Sequence, residues 1–354
     1  MTSRPTSTQL AQAAHRAAAW LASQQTALGN YQGNDTPDAA GVYADTDDVG
    51  CYYKSVYTLR AAGQSAAAAR LLRYVVSRFR SPEGDYYNTP TVRSSGSYGP
   101  VFCQLYQNAW LTRGAAALHW FGLTQDMLGF INTQREPASG GYFTHVGSTS
   151  GMMDSNSIAV GAYCCVLGGK FDLARQSADL LLRVLSQQTD DGILWSRCRP
   201  DGTPVKTLDD VDRKNWRYVR LAAAEPEQAY WIWAWPMNTL IAVYELTGDD
   251  RYLAGAKAIF EFLAAAHEDA FGYTTAGKDA WGAAKLYRLT GDPRYLDKCL
   301  LQMQYILDHQ HADGYMLGEG ISDESGQPRR TTFDFTADFA SWLIDVAAEM
   351  ESRG

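Results

Sequence analysis

The sequence has little of what several large protein classes require. Its 354 residues carry 31 Lys and Arg against 39 Asp and Glu, a formal charge of −8. Nowhere do the basic residues gather into the positive face that a phosphate backbone needs, which excludes nucleic acid as a partner. Six cysteines (Cys51, Cys103, Cys164, Cys165, Cys198, Cys299) are too few for a disulfide scaffold, and none forms a CxxC pair. They read as reduced, mostly buried thiols. No stretch approaches the roughly 20 uninterrupted apolar residues of a membrane span. The first twenty residues set Arg4, Gln9, Gln12, His15 and Arg16 among alanines, unlike a signal peptide, so the expected location is the cytoplasm. A P-loop, GxGxxG and HExxH are missing, and GSTSG places Thr149 where a nucleophile elbow needs Ser. No cofactor and no metal are expected.

What is present is a repeat. An amphipathic helix ends near Gln or His and runs into Gly followed by an aromatic residue at six places, with some variation: 20–31, 74–87, 130–143, 184–195, 262–273 and 305–316. A second helix stands between successive marks and stops at a short Gly turn, as in YELTGDDRYL from Tyr244 and YRLTGDPRYL from Tyr287, where Asp caps the next helix. Recurrence at this period implies stacked copies of one supersecondary unit. Helices ahead of the mark, such as 65–78 and 172–185, space their charges along one face. The others, such as 228–246, are apolar nearly all round. The pattern predicts an all-α fold, an (α/α)6 toroid of six helical hairpins in one domain over 1–354, charged helices outside and apolar helices inside. A short β-hairpin is expected in the long 186–226 connection, at Pro200-Asp201-Gly202. That connection, with its charged Asp209–Lys214 stretch, reads equally as a lid and as a contact between copies in a homo-oligomer.

With these hairpins, the chain resembles the toroid superfamily of terpenoid cyclases, protein prenyltransferase catalytic subunits and the single-domain linalool dehydratase-isomerase. Class II terpene cyclases open an inner helix with Asp-x-Asp-Asp, and here QQTALGNY leads to Asp45-Thr46-Asp47-Asp48. The resemblance implies that Asp47 donates a proton to an alkene or epoxide, with Asp45 and Asp48 tuning it.

Inner helices of such a toroid begin at one end, so their starts should converge on one mouth. These starts offer the Asp trio, Tyr106, Asp154 and Asn156, Glu225, Glu227 and Tyr230, Lys278 and Asp279, and Asp334 with Asp338. Crowded, partly desolvated carboxylates hold protons near neutrality, which a general acid requires. Helix N-termini oppose this by favouring charge. The expected catalytic set is Asp45, Asp47, Asp48, Asp154 and His145, the last lying just ahead of an inner helix. Tyr53, Tyr106, Asn156, Tyr230, Trp231, Trp281 and Asp334 are the expected substrate contacts, their rings suited to a carbocation or to a stacked sugar. The leading expectation is therefore a cofactor-independent acid/base cyclase, isomerase or lyase acting on a small, largely apolar, isoprenoid- or polyketide-like molecule. A carbohydrate-active enzyme of the six-hairpin type is the alternative, and a non-catalytic binding scaffold the third reading.

Overall fold

The computed structural model describes residues 4–32, 48–88, 105–144, 151–208, 216–272, 276–318 and 329–352. Twelve principal helices appear among them: α1 (Ser7–Ser23), α2 (Ser55–Ala61), α3 (Ser65–Phe79), α4 (Leu105–Ala117), α5 (Phe121–Thr133), α6 (Ser155–Leu167), α7 (Phe171–Ser186), α8 (Trp231–Thr247), α9 (Asp250–Ala264), α10 (Gly277–Thr290), α11 (Pro293–Asp308) and α12 (Arg329–Glu351). The expected alternation is present. In α7 the buried residues are Ala174, Ser177, Ala178, Leu180, Leu181 and Val184, one stripe at helical spacing. In α8 every residue from Trp231 to Val243 is buried, as is every residue from Ser155 to Ala162 in α6.

Four of the six Gly-aromatic marks are small closed turns. Gln25 bridges Tyr31, Arg80 bridges Tyr86, Arg135 bridges Tyr142 and Gln310 bridges Met316, all antiparallel. Gly29, Gly84, Gly140 and Gly314 hold φ of 99°, 95°, 81° and 106° inside these turns, a region that favours glycine. Close approach adds a second demand. A Cβ on Gly314 would lie 2.7 Å from the Arg16 carbonyl oxygen, and one on Gly29 equally close to that of Arg70.

The chain divides into two compact units. The first comprises Met1–Ser97, Trp110–Met127 and Met303–Gly354. In it α12 packs along α1 and α2, and α2 packs on α3. The turn after α1 docks on α3 through the Gln25 amide, which donates to the Ala67 carbonyl at 3.1 Å and accepts from Arg70 at 3.0 Å. The turn after α11 docks on α1 in the same way: Gln310 donates to the Ala13 carbonyl at 2.8 Å and accepts from Arg16. The last such turn thus seats on the first helix of the chain.

The second unit comprises Tyr98–Ala109 and Leu128–Gln302. Here α8 packs against α6, α7, α9 and α10. Two small antiparallel pairs lie beside these helices. β1 (Met153–Asp154) pairs with β3 (Arg197–Cys198), and β2 (Ile193–Trp195) pairs with β4 (Arg220–Ala222). The predicted hairpin turn forms: Arg199 N–H donates to the Thr203 carbonyl at 3.0 Å, Gly202 takes φ 91°, and Cys198 bridges Pro204. Its strands differ from the simple two-strand expectation, because β3 pairs with β1 across the α6 start. Residues 209–215, which hold the whole charged stretch, lie outside the described residues.

Candidate functional site

Asp45, Asp47 and His145 lie outside the described residues. Asp48 is the N-cap of a 3-10 turn, Val49–Cys51, and its Oδ1 accepts from the Gly50 N–H at 2.8 Å. Its Oδ2 lies 3.7 Å from Arg330 Nε. Asp154 caps α6: Oδ1 accepts from the Ser157 N–H at 2.7 Å and Oδ2 from the Ser157 hydroxyl at 2.6 Å. Both Asp154 oxygens are engaged in the cap, which satisfies free amides of the first helical turn.

In the second unit the starts of three inner helices meet. Lys278, in the first turn of α10, holds its Nζ 5.9 Å from the ring centroid of Tyr106 in α4 and 5.5 Å from that of Trp231 in α8. The two rings are 6.4 Å apart. Further along, Trp235 of α8, Trp281 of α10 and Tyr163 of α6 pack edge to face at 5.5 to 6.2 Å. Lys285 Nζ sits 3.5 Å over the Trp281 ring. Spacings of three, four and seven residues, as in Lys278, Trp281 and Lys285, put these groups on one face of each helix. Lys278 is 3% exposed and Trp231 7%, so this layer is almost wholly desolvated.

Among the polar side chains near these starts that lack a hydrogen-bond partner among the described residues are Asn156 and Asp279. Asn156, in the first turn of α6, is wholly buried with neither amide atom hydrogen-bonded. Asp279 is also wholly buried, and neither of its oxygens accepts a hydrogen bond. Burial pushes the Asp279 carboxyl well above the usual carboxylate range, against the opposing pull of Lys278. Tyr230, an expected substrate contact, has its hydroxyl engaged by the protein. Its hydroxyl donates to the Glu225 carbonyl at 2.8 Å and lies 3.3 Å from Asp269, so it fastens the loop before α8.

The first unit brings together the starts of α2 and α12. Lys54 Nζ lies 3.0 Å from Asp334 Oδ1 and 3.3 Å from Asp338 Oδ1, with the Tyr53 ring centroid at 5.2 Å. Arg330, Asp334 and Asp338 recur every fourth residue and form one charged stripe on α12. Burial raises Asp334 above its ordinary value and Asp338 adds to the rise, while Lys54 and Arg330 oppose it. Further along the same helices, Asp345 accepts from Arg113 and from the Tyr57 hydroxyl.

Lys54, which joins α2 to α12, is absent from the sequence-based site. Lys278, Asp279 and Asp338 appear there only as helix-start residues. One signal pointed to Lys54: a stripe of Arg and two Asp at four-residue spacing needs a cation facing it. Among the described residues no group of three His, Cys, Asp or Glu side chains is disposed to hold a metal ion.

No protein-family model matches the chain, and no curated protein matches it. Solved structures do. A D-mannose isomerase superposes with a TM-score of 0.68 at 14% identity, covering 96% of this chain and 97% of its own. The cellobiose 2-epimerase of Spirochaeta thermophila gives 0.64 at 15%, covering 97% and 98%. A GH76 α-mannanase of Bacteroides thetaiotaomicron gives 0.64 at 14%, covering 97% and 96%. The expected toroid fold is found, whereas the terpenoid cyclase-like reading gains no support from these structures. At such identities the likeness speaks for the fold alone, and that fold is the six-hairpin α/α toroid.

Proposed function

We propose that the chain is a carbohydrate-active enzyme of the isomerase or epimerase kind, with its substrate held at the starts of the inner helices. The observation that carries this reading lies in the second unit, where the Lys278 ammonium sits near the faces of Tyr106 and Trp231. A carbocation intermediate would need those same π faces. It would meet a fixed positive charge at about 6 Å, a repulsion of about 3 kcal/mol at an effective dielectric constant of about 20. An isoprenoid cyclase gains nothing from such an arrangement. A sugar gains from it: its C–H face stacks on such rings while its hydroxyls accept from an ammonium group.

The buried polar groups favour the same substrate class. An unsatisfied buried donor or acceptor costs about 1–3 kcal/mol. Asn156 and Asp279 carry that cost without a protein partner among the described residues. Hydroxyl-rich molecules are able to repay it and hydrocarbons are not. The names of similar folds, a mannose isomerase and a cellobiose epimerase, agree with this reading. The test is calorimetric binding and NMR-detected conversion across D-mannose, D-glucose, D-fructose and cellobiose. Conversion or saturable binding of at least one sugar, abolished in Trp231→Ala, is the expected result. Binding of geranyl diphosphate with no response to any sugar would overturn it.

A further inference from the structure

We propose that Asp269 is a positioning residue of the candidate site: from the turn after α9 its carboxylate locks the loop 223–230 and thereby fixes Trp231, the first residue of α8. The inference rests on the carbohydrate reading for what Trp231 holds, but not for the lock.

The start of α8 has no capping side chain. Asp154 accepts from the first turn of α6 and Asp249 from that of α9, whereas Tyr230, the N-cap of α8, makes no such bond. A helix start of this kind takes its place from what its entry loop touches. That loop is held on two sides. Toward β4, Arg220 pairs with Glu225 at 3.0 Å, and the buried Gln228 side chain accepts from the Ala222 N–H at 3.4 Å. On the other side stands a 3-10 turn, Glu268–Ala270, which follows α9. Its Asp269 gathers three groups. Oδ2 accepts from the Glu227 N–H at 2.6 Å, and Oδ1 lies 3.3 Å from the Tyr230 hydroxyl and 2.9 Å from His267 Nδ1. The last distance calls for a proton on Nδ1, because two lone pairs would repel there. The His267 N–H adds a bond to the Ala223 carbonyl at 2.6 Å. Burial and the Asp269 charge push the Tyr230 hydroxyl above its ordinary range, so it remains a donor.

Glu227 shows what the lock holds. Its φ is 55° and it follows Pro226, the place in a Pro-x turn where glycine is the ordinary choice. A non-glycine residue in the left-handed region stands at a disadvantage of roughly tenfold in population. The Glu227 side chain is exposed, and the bond that answers this strain is its own N–H to Asp269. Four residues on, Trp231 meets Tyr106, Tyr218 and Lys278, at ring separations of 6.4 and 5.8 Å and with the ammonium 5.5 Å from its ring centroid. A loop relaxed to negative φ at Glu227 would carry the start of α8, and Trp231 with it, out of that register. The turns after α1 and α11 dock on helices through Gln25 and Gln310, whereas this one docks on the loop that leads into the site. That difference separates its role from that of an ordinary hairpin closure.

The test uses the full chain and two readouts. The first is amide exchange over residues 224–232 together with the fluorine resonance of Trp231 in 5-fluorotryptophan protein, assigned with Trp231→Phe. In Asp269→Ala the exchange should rise about tenfold and the resonance should move. Adding Glu227→Gly to Asp269→Ala should restore both most of the way, because glycine takes the left-handed φ without the lock. Asp269→Asn keeps an acceptor for the Glu227 N–H and should fall between Asp269→Ala and the wild type. An unmoved Trp231 resonance in Asp269→Ala overturns the proposal, and so do equal losses from Asp269→Ala in the wild-type and Glu227→Gly backgrounds. Should Asp269→Ala not fold, Asp269→Asn is read in the same two backgrounds. The second readout is calorimetric affinity for D-mannose and cellobiose, which should weaken about tenfold in Asp269→Ala and recover when Glu227→Gly is added. Unchanged affinity beside a moved resonance sinks the positioning role and leaves the carbohydrate reading standing. No binding of either sugar by the wild type, with exchange and resonance as expected, sinks the carbohydrate reading and leaves Asp269 as the residue that fixes Trp231.

Discussion

The two units place a lysine at the start of an inner helix and solve its burial in opposite ways. Lys54 is neutralised by carboxylates from the neighbouring helix, and Lys278 rests on the faces of a tyrosine and a tryptophan. The first solution meets the cation with two buried carboxylates. The second leaves a hydrogen-bond donor over a stacking surface, which suits holding a sugar. The same residue type at equivalent places in the repeat thus serves two ends, decided by what the adjacent helix presents.

This contrast can be broken experimentally. The largest effect belongs to Lys54→Met, which leaves Asp334 and Asp338 without their shared cation. Breaking a buried pair from one side costs about 3–5 kcal/mol, read as a lowered urea midpoint at pH 7. Lys278→Met removes a cation–π contact and should cost about 0.5–2 kcal/mol, with sugar affinity falling more than stability. Equal losses for the two variants would erase the distinction. Asp154→Ala tests whether that residue is only a cap. Loss of an N-cap costs about 1 kcal/mol, and turnover per folded molecule should stay unchanged; a collapse of kcat with full stability would restore it to the catalytic set.

The smallest effect is a slope. Asp279 has a folded-state proton affinity raised by burial. Above the ordinary carboxylate range, the folded state therefore holds more protons than the unfolded state, and stability falls as pH rises. Asp279→Asn should flatten the decline in unfolding free energy between pH 5 and 8, and an unchanged slope would show that the carboxyl is ionised in place.

Much of the fold was legible in the sequence because its causes are local. Gly29, Gly84, Gly140 and Gly314 mark turns that need positive φ, and the aromatic residue two positions after three of these glycines closes the bridge. The helices expected at 65–78 and 172–185 form at Ser65–Phe79 and Phe171–Ser186. The site was legible only in part. Asp154 was readable as a cap from Asp-Ser-Asn-Ser alone, since the Ser157 amide and hydroxyl sit where an N-cap carboxylate reaches. Its expected catalytic role came from counting acids at helix starts without asking which were already engaged. Lys54 escaped because a single lysine ahead of an apolar helix looks like an ordinary solvated residue.

By itself the sequence determined the alternation of charged and apolar helices, the six turns between them and the capping of their ends. These depend on interactions within a few residues, where backbone geometry and helical period leave few options. Only the tertiary structure decided that Lys54 meets Asp334 near the other end of the chain, and that Lys278 meets Tyr106. Desolvation and pairing are properties of what surrounds a group in space, and in this ring the decisive neighbours come from distant hairpins.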